Sequence, residues 1–222
     1  MRLNLGCGKD IRKGYINIDI FQHPGIKLDY ICDISKKIPI NNNSQSFVYM
    51  AHNLEHYNWM DAENVLREVK RVLKPKCKVR ILVPDYEKIF KKYVKKDKTF
   101  FKPIIKYLNK NYIYYKYMYL GASKSYLKKR KKNLPPKWHF SKKSKDKYNV
   151  RLRARKYTNL TDVVDWFVHQ YGEHKSIFDQ NNLKILSKKI GFRKFKKTKY
   201  QDSIDENDLI RKKVSLCVEM TK

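Results

Sequence analysis

The first 85 residues alternate short apolar segments with turns and acidic residues, and this alternation constrains the fold more than any other feature of the sequence. We predict five strands from apolar or alternating stretches: Leu3–Leu5, Tyr15–Ile20, Leu28–Cys32, Phe47–Ala51 and Lys78–Val83. Between the last two strands, a helix is predicted from Asp61, as its N-cap, to Leu73, with Pro75 ending it. Strands separated by helices or short crossovers predict an α/β fold with a mainly parallel, doubly wound sheet and helices on both faces.

The ends of the first three predicted strands carry residues suited to a ligand that contains a nucleoside. Leu5 runs into the turn Gly6-Cys7-Gly8, where glycine lets the backbone pass close to a ligand. Asp19, near the end of the second strand, can accept hydrogen bonds from two ribose hydroxyls. Asp33-Ile34, after the third strand, can meet adenine with a carboxylate and an apolar side chain. A phosphate-binding loop is not indicated, because the GxGxxG pattern needs glycine at Ile11 and the GK[ST] end of a P-loop is missing.

The positive charge of the chain is concentrated in one segment. The 222 residues include 52 Lys and Arg against 21 Asp and Glu, a net charge of +31. Residues 86–156 hold 25 of these bases and 3 of these acids, a net charge of +22 (25 − 3). We predict that this Lys- and Tyr-rich stretch is an inserted cap for substrate recognition, partly helical, with a loop around Pro135-Pro136. Codon bias in an AT-rich genome stays open as an explanation for part of the charge.

After the insertion the α/β pattern resumes. Helices are predicted over Thr161–Tyr171 and from Asp179 to Gly191, and closing strands over Phe192–Tyr200 and Val214–Met220, with an acidic excursion at 202–208 between them. The four cysteines are far apart and form no CxxC pair, which predicts reduced thiols in a cytoplasmic protein. No run of eighteen apolar residues exists, so no transmembrane helix is predicted.

The motifs LNLGCGKD, YINIDI, CDI, HNLEH, LREVKRVLKP and VRILVPD occur in that order, and together they resemble class I S-adenosylmethionine-dependent methyltransferases. The likeness is greatest to small predicted methyltransferases with LNLGCG, LEH and RVLKP motifs, and it covers residues 1–85 and 169–222. It implies one Rossmann-like domain over residues 1–222 with S-adenosylmethionine as its cofactor.

The resemblance also implies roles for individual residues. The cofactor would be bordered by Leu5, Gly6, Cys7 and Gly8 at its methionine part, by Asp19 at the ribose, by Asp33 and Ile34 at the adenine, and by His52 at the methionine end. Asn4 departs from the pattern, because many relatives have an acidic residue there, so one contact to the cofactor's amino group is expected to be indirect.

Methyl transfer to a hydroxyl needs a base, because a protonated hydroxyl is a poor nucleophile. Asp85 and His52 follow the fifth and fourth predicted strands and should lie at the active edge of the sheet, and His174 could fold over that edge. These three are the candidate catalytic residues. The alternative for each is an ordinary structural role, such as a helix cap for Asp85.

The segment His52-Asn53-Leu54-Glu55-His56 also bears on metal binding. Some metal-dependent hydroxyl methyltransferases carry ExxEH at this point and bind Mg²⁺. Here the first Glu is His52, and Mg²⁺ prefers oxygen ligands, so we predict no metal site. In metal-free relatives that carry LEH, Glu55 and His56 would simply hold the loop.

Three hypotheses about the acceptor remain open. The first is O-methylation of a sugar hydroxyl in a glycan, because compact relatives resemble enzymes of surface-polysaccharide pathways and aromatic rings can stack on sugars. The second is RNA methylation, with the basic insertion binding phosphates. The third is a non-catalytic binding module that retains the cofactor fold. The insertion's aromatic residues that could contact an acceptor are Tyr93, Tyr107, Tyr112, Tyr114, Tyr115, Tyr117, Tyr119, Tyr126, Trp138 and Tyr148. Alternatively, about half of them form the insertion's own core.

Overall fold

The computed structural model of the chain describes residues 1–23, 25–110, 157–201, 203–205 and 208–222, and these residues contain one seven-stranded sheet. Its strands are β1 (Arg2–Leu5), β2 (Ile16–Asp19), β3 (Tyr30–Ile31), β4 (Gln45–Ala51), β5 (Leu73–Pro84), β6 (Lys194–Thr198) and β7 (Ser215–Thr221). They lie in the order β3-β2-β1-β4-β5-β7-β6. The first five strands pair in parallel, whereas β7 runs antiparallel to both β5 and β6. The predicted mainly parallel, Rossmann-like α/β fold is therefore confirmed.

The chain order reverses beside β1, which places a topological switch point between β1 and β4. From β1 the chain moves outward through β2 and β3, and then returns to lay β4 and β5 on the other side. In open α/β sheets ligands bind outside the carboxyl ends of the strands at such a point. Ser215, the first residue of antiparallel β7, pairs with Pro84 and so reaches the same edge.

Six helices are described: α1 (Trp59–Val72), α2 (Tyr86–Val94), α3 (Lys98–Lys110), α4 (Leu160–His169), α5 (Gln180–Ile190) and α6 (Leu209–Val214). The predicted N-cap of α1 was wrong. Asn58, not Asp61, caps the helix, because its side-chain oxygen accepts a hydrogen bond from the backbone N–H of Asp61 at 2.9 Å. For α5 the prediction is confirmed, with Asp179 as N-cap and Gly191 in the left-handed conformation that ends the helix.

The two faces of the sheet are covered differently. Apolar residues of α1 and α5 pack on one face, against a core that includes Leu3, Val48 and Ile81. On the other face, Tyr49 and Leu82 pack with Tyr15 and Ile204. The first crossover, residues 6–15, contains no helix, so loop residues rather than a helix cover this part of the second face.

A buried ion pair anchors the acidic excursion to that second face. Arg80 on β5 is fully buried, and its Nε donates to Oδ1 of Asp205 at 2.8 Å while its Nη2 donates to Oδ2. Its Nη1 also donates to Oγ1 of Thr198 at 2.8 Å. Replacing one member of such a pair leaves an uncompensated buried charge.

The insertion begins as a small helical layer with a core of its own. Within the described residues, α2 and α3 pack against α4, and α3 also contacts α6. Their shared core consists of Tyr86, Ile89, Phe100, Phe101, Ile104, Leu108, Tyr157, Val163, Phe167 and Val214. Because α4 follows residue 156, this layer extends beyond the predicted boundary of the cap. Residues 111–156, with Pro135-Pro136 and eight of the ten aromatic residues, lie outside the described residues.

Local boundaries differ from the predictions where short elements meet. The predicted strand at 28–32 is only Tyr30–Ile31, with both residues exposed at the sheet edge. The helix predicted over 161–171 ends at His169, and a 3₁₀ turn follows from Gln170 to Gly172. Helix α6 was missed, because six residues are too few to show a helical period. Among the described residues no helix is long and apolar enough to cross a membrane.

Candidate active site

The glycine turn after β1 has the conformation that its sequence requires. Gly6 has φ of +61° and Gly8 has φ of +53°, and residues other than glycine rarely adopt this left-handed region. A Cβ on Gly6 would lie 2.0 Å from Nδ2 of Asn53, whereas a Cβ on Gly8 would meet nothing within 4 Å. The loop after β4 therefore lies directly over Gly6, and the turn is open at Gly8.

Asp19 closes β2 beside this turn. One of its oxygens, Oδ2, accepts a hydrogen bond from the backbone N–H of Gly8 at 2.7 Å, and Oδ1 accepts from the N–H of Phe21 at 3.1 Å. A carboxylate offers about four lone-pair positions, so each oxygen keeps the capacity for a further donor. Asp19 is thus held at the edge of the sheet with acceptor capacity to spare.

Asp33 and Ile34 follow β3 but differ in exposure. Asp33 accepts hydrogen bonds from the N–H of Ser35 at 3.0 Å and from its hydroxyl at 2.6 Å, and the hydroxyl contact is the main reason that the pKa of Asp33 is lowered. Ile34 is only 2% exposed and belongs to the main core. Its side chain therefore offers little surface to a ligand in this conformation, and its contact with adenine stays a prediction.

Three residues near the turn are buried and structural. Leu5 lies in the core, fully buried. Asn4 bridges β1 to its neighbours, because its Nδ2 donates to the carbonyl of Asp10 at 2.6 Å and to Oδ1 of Asn17 at 3.0 Å. Burial, with a contribution from Asp19, raises the pKa of the Cys7 thiol to about 12. The turn can therefore meet a ligand at its backbone but not through a thiolate.

His52 stands at the start of the loop after β4 with a strained backbone. Its φ is +49°, rare for a residue with a side chain, and its N–H donates to the carbonyl of Leu82 at 2.8 Å. Its Nε2 lies 2.7 Å from Oγ of Ser215, and its Nδ1 lies 3.3 Å from Oε1 of Glu55. Both ring nitrogens are thus engaged, which fixes the imidazole at the sheet edge.

Glu55 is the most unusual charged residue of this edge. It is fully buried, and neither carboxylate oxygen makes a hydrogen bond, because the 3.3 Å contact between Oε1 and Nδ1 of His52 is short enough but does not have hydrogen-bond geometry. Burial raises the pKa of Glu55, but the surrounding imidazoles, with His52 foremost, lower it to about 2 overall. Glu55 is therefore ionised.

Two further histidines enclose Glu55. His174 is 8% exposed; its Nδ1 lies 2.6 Å from the carbonyl oxygen of Phe167, and its Nε2 lies 4.0 Å from Oε1 of Glu55. The rings of His56 and His174 lie 5.0 Å apart. Burial lowers the pKa of His174, and Glu55 opposes this only in part, so His174 is neutral. His174 thus lies within the edge rather than over it.

Asp85 has a structural role at the start of α2. Its side chain accepts a hydrogen bond from the N–H of Lys88 at 3.0 Å, which makes it the N-cap of α2, and only 8% of it is exposed. The helix-cap alternative is therefore observed for Asp85.

A cavity of about 160 Å³ opens beside this cluster and connects it to the helical layer. Its lining includes His52, Glu55, Tyr107, Trp166 and Arg211. The Trp166 indole N–H is buried and finds no hydrogen-bond partner among the described residues. The cavity thus combines aromatic surface, an unused donor and charged side chains, among them Glu55 and Arg211.

A larger depression of about 710 Å³ lies elsewhere, along residues 36–42, and is lined also by Glu68 and Arg71. Arg71 donates to the carbonyls of Ile38 and Ile40, and Glu68 accepts from the N–H of Ile38. These polar groups are occupied in holding the loop, so we consider the smaller cavity the candidate site.

The structure brings together most of the residues singled out from the sequence. Gly6, Gly8 and Asp19 lie in one turn region, and His52 and His174 meet at Glu55. Sequence reasoning missed the burial of Glu55 and the participation of Ser215 and Trp166. The HxxEH spacing was the one available signal for Glu55, whereas the contact with His174 joins residues more than one hundred positions apart.

Comparisons with known proteins bear on the family of the chain rather than on this arrangement of side chains. Residues 3–81 match the family described as a methyltransferase domain. Solved S-adenosylmethionine-dependent methyltransferases resemble the chain at 12% identity: one from Archaeoglobus fulgidus (TM-score 0.49, 100% of this chain and 85% of that chain), one from Thermotoga maritima (0.49, 100% and 81%) and one from Aquifex aeolicus (0.44, 99% and 80%). TM-scores below 0.5 are too low to support an inference of their own. A search of curated proteins gave no significant match.

Proposed function

We propose that this chain, a class I S-adenosylmethionine-dependent methyltransferase by its matched domain and its strand order, methylates a hydroxyl group of a sugar in a glycan. The observation that carries the acceptor proposal is the cavity beside His52, which joins aromatic rings to polar groups. A sugar offers the same combination, with apolar faces and hydroxyl edges. Tyr107 and Trp166 would stack on such a face, and the unpartnered Trp166 N–H would bind a hydroxyl.

The glycine turn and Asp19 fit the cofactor. When bound, S-adenosylmethionine supplies an electrophilic methyl group on a sulfonium centre. We assign the backbone of Gly6, Cys7 and Gly8 to its methionine part, Asp19 to its ribose and Asp33 to its adenine. The open space at Gly8 and the spare acceptor capacity of Asp19 support this assignment.

His52 is the proposed general base. Its Nδ1 faces the Glu55 carboxylate, which favours the tautomer with the proton on Nδ1 and leaves Nε2 as the acceptor. In the present arrangement that Nε2 meets the hydroxyl of Ser215, so a hydroxyl already occupies the position where the acceptor would deliver its proton. Asp85 is less suited, because its carboxylate caps α2.

Cofactor binding is tested by calorimetry with S-adenosylhomocysteine. Wild-type protein should bind, and Asp19→Ala should bind at least about 10-fold more weakly, since it loses hydrogen bonds to a charged group worth about 1.5–3 kcal/mol. Asp29→Ala is the matched control, because Asp29 accepts a hydrogen bond from the N–H of Asn17 and not from the N–H of Gly8. Equal binding by the Asp19 and wild-type proteins would refute the ribose assignment.

The base is tested by methyl incorporation from labelled cofactor into a panel of soluble glycans. His52→Asn should lower kcat by about 10²–10⁴, the usual contribution of a positioned base. His169→Asn is the control, because His169 is exposed and lies on the outer side of α4. Methylation of glycans by the His52 variant at the wild-type rate would exclude His52 as the base.

RNA methylation is the second candidate, and one observation favours it. The described part of the insertion exposes seven lysines: Lys91, Lys95, Lys96, Lys98, Lys102, Lys106 and Lys110. An RNA substrate would bind with a steep dependence on salt, because each neutralised phosphate releases counterions. Methyl incorporation into RNA but not into glycans would support RNA methylation. Cofactor binding with no methyl transfer to either substrate would indicate a non-catalytic binding module.

A cytoplasmic location is part of the same proposal. The four cysteines are free and two of them, Cys7 and Cys217, are buried, which suits a reducing compartment. Cell fractionation with antibody detection tests this.

A further inference from the structure

We propose that Glu55, His56 and His174 form a binding site for a divalent transition-metal ion of the Zn²⁺ class at the inner end of the cavity. The ligand atoms of these three residues all lie within 4.8 Å of one another. Two ligand atoms on one zinc ion lie about 3–4 Å apart, since zinc bonds are about 2.0–2.2 Å long. Small side-chain rotations would therefore bring all three onto one ion.

The hydrogen bonds of the two histidines leave their inner nitrogens as acceptors. Nδ1 of His174 lies 2.6 Å from the carbonyl oxygen of Phe167, and Nδ1 of His56 lies 3.2 Å from that of Glu173. A carbonyl only accepts, so Nδ1 carries the proton in both rings and each neutral ring keeps a lone pair on Nε2. Bonds from the outer nitrogen to a backbone carbonyl are typical of metal-binding histidines.

Glu55 supplies the independent evidence for a cation. It is fully buried, and neither of its oxygens makes a hydrogen bond, since the 3.3 Å contact from Nδ1 of His52 to Oε1 lacks hydrogen-bond geometry. The Nε2 of His174 lies 4.0 Å from Oε1 of Glu55, too far for a hydrogen bond and with two acceptors facing each other. Such an arrangement is unfavourable unless a positive charge lies between the two atoms.

The donor set selects the class of ion. Two imidazole nitrogens and one carboxylate suit Zn²⁺ and related transition metals, whereas Mg²⁺ prefers oxygen ligands throughout. Three protein ligands leave a coordination position open, and the cavity reaches Glu55, His56 and His174, so a water or a hydroxyl could take that position. This departs from the prediction, made from sequence alone, that no metal is bound. Its catalytic meaning rests on the proposed O-methylation, because the ion would lower the pKa of a bound hydroxyl beside His52.

The test uses untagged protein stripped with a chelator and titrated with Co²⁺, whose visible absorption reports coordination by nitrogen and oxygen. The wild-type protein should bind one equivalent of Co²⁺, and added Zn²⁺ should displace the bound Co²⁺. Glu55→Gln and His56→Ala should each weaken binding by at least about 100-fold, since even outer partners of ligands contribute 10–100-fold. His169→Ala is the matched control, because this exposed histidine pairs with Asp165, at 3.9 Å.

A second measurement needs no variant. Zn²⁺ should protect His56 of the wild-type protein from diethyl pyrocarbonate while leaving His169 reactive, as read by mass spectrometry. Absence of stoichiometric Co²⁺ binding, or equal protection of both histidines, would overturn the proposal, as would wild-type affinity in both ligand variants. S-Adenosylhomocysteine binding shows that each variant is folded. Metal binding without methyl transfer to glycans would leave the site standing and refute only the proposed acceptor.

Discussion

The contact between the glycine turn and the loop after β4 makes Gly6 sensitive to substitution. A Cβ at Gly6 would lie 2.0 Å from Nδ2 of Asn53 and 2.8 Å from its Cβ, well inside ordinary contact distances. Gly6→Ala therefore adds two costs. The left-handed backbone with φ of +61° costs about 1–2 kcal/mol, and the overlap with Asn53 adds about 1–3 kcal/mol, as for overpacking.

Gly14→Ala separates these two costs. Gly14 has φ of +79°, and a Cβ there would meet nothing within 4 Å. The Gly14→Ala variant should therefore lose only the stability that corresponds to the backbone cost, which is a fall in Tm of about 2–8 °C for a chain of this size. It should keep its affinity for S-adenosylhomocysteine. Gly6→Ala should lose roughly twice as much stability and at least about 10-fold in affinity, because the turn or the loop must move.

Thermal unfolding and calorimetry measure both effects, and a double variant tests the cause. Asn53→Gly removes the three atoms nearest to a Cβ on Gly6, so Gly6→Ala combined with Asn53→Gly should show mainly the cost of the left-handed backbone. If Gly6→Ala binds S-adenosylhomocysteine as well as Gly14→Ala does, the steric argument is wrong. A double variant no better than Gly6→Ala would show that the loss has another cause.

Three further predictions concern stability and reactivity. Asp205→Asn removes the nearer of the two carboxylates paired with the buried Arg80 guanidinium, with Glu219 left at 3.5 Å, and should lower the free energy of unfolding by about 3–5 kcal/mol; a denaturant midpoint close to wild type would contradict this. Asp179→Ala removes the N-cap of α5 and should cost about 1 kcal/mol, whereas a stability unchanged within about 0.5 kcal/mol, the range of an ordinary surface substitution, would argue against the cap. The Cys7 thiol, with its pKa raised to about 12, should be thiolate in about 10⁻⁴ of molecules at pH 8. In the native protein iodoacetamide should therefore modify Cys77, which is partly exposed, long before Cys7, and similar rates in a peptide map would refute the assigned environment.

Sequence reasoning predicts the framework because each strand carries its own signal. Period-two patterns, glycine turns and a proline after α1 are local, and they predict the strands and the fold class without tertiary information. The errors occur where local signals compete. Asp61 and Asn58 are both good caps, and only the hydrogen bond from the N–H of Asp61 to Asn58 decides between them.

The cluster of Glu55 and His174 could not be predicted in the same way. Glu55 reads as part of an ordinary loop motif, and its burial depends on a segment that joins it from far along the chain. The N–H groups of Lys175 and Ser176 both donate to its carbonyl, at 2.8 and 3.2 Å, which holds His174 beside it. Neither segment carries a pattern that indicates the other, so the cluster is a property of the tertiary fold.

The contact between His52 and Ser215 joins two segments that leave the ribosome at different times. The cofactor turn, Asp19 and the loop of Glu55 all precede residue 86, so a ribosome-bound chain could pair β1, β4 and β5 early. His174 and Ser215 emerge more than eighty residues later than Asp85, and β5 keeps an unpaired edge until β7 joins it. Under the proposed roles, the residues assigned to the cofactor can pair well before those beside the acceptor have been synthesised, and methyl transfer would wait until the antiparallel strand is in place.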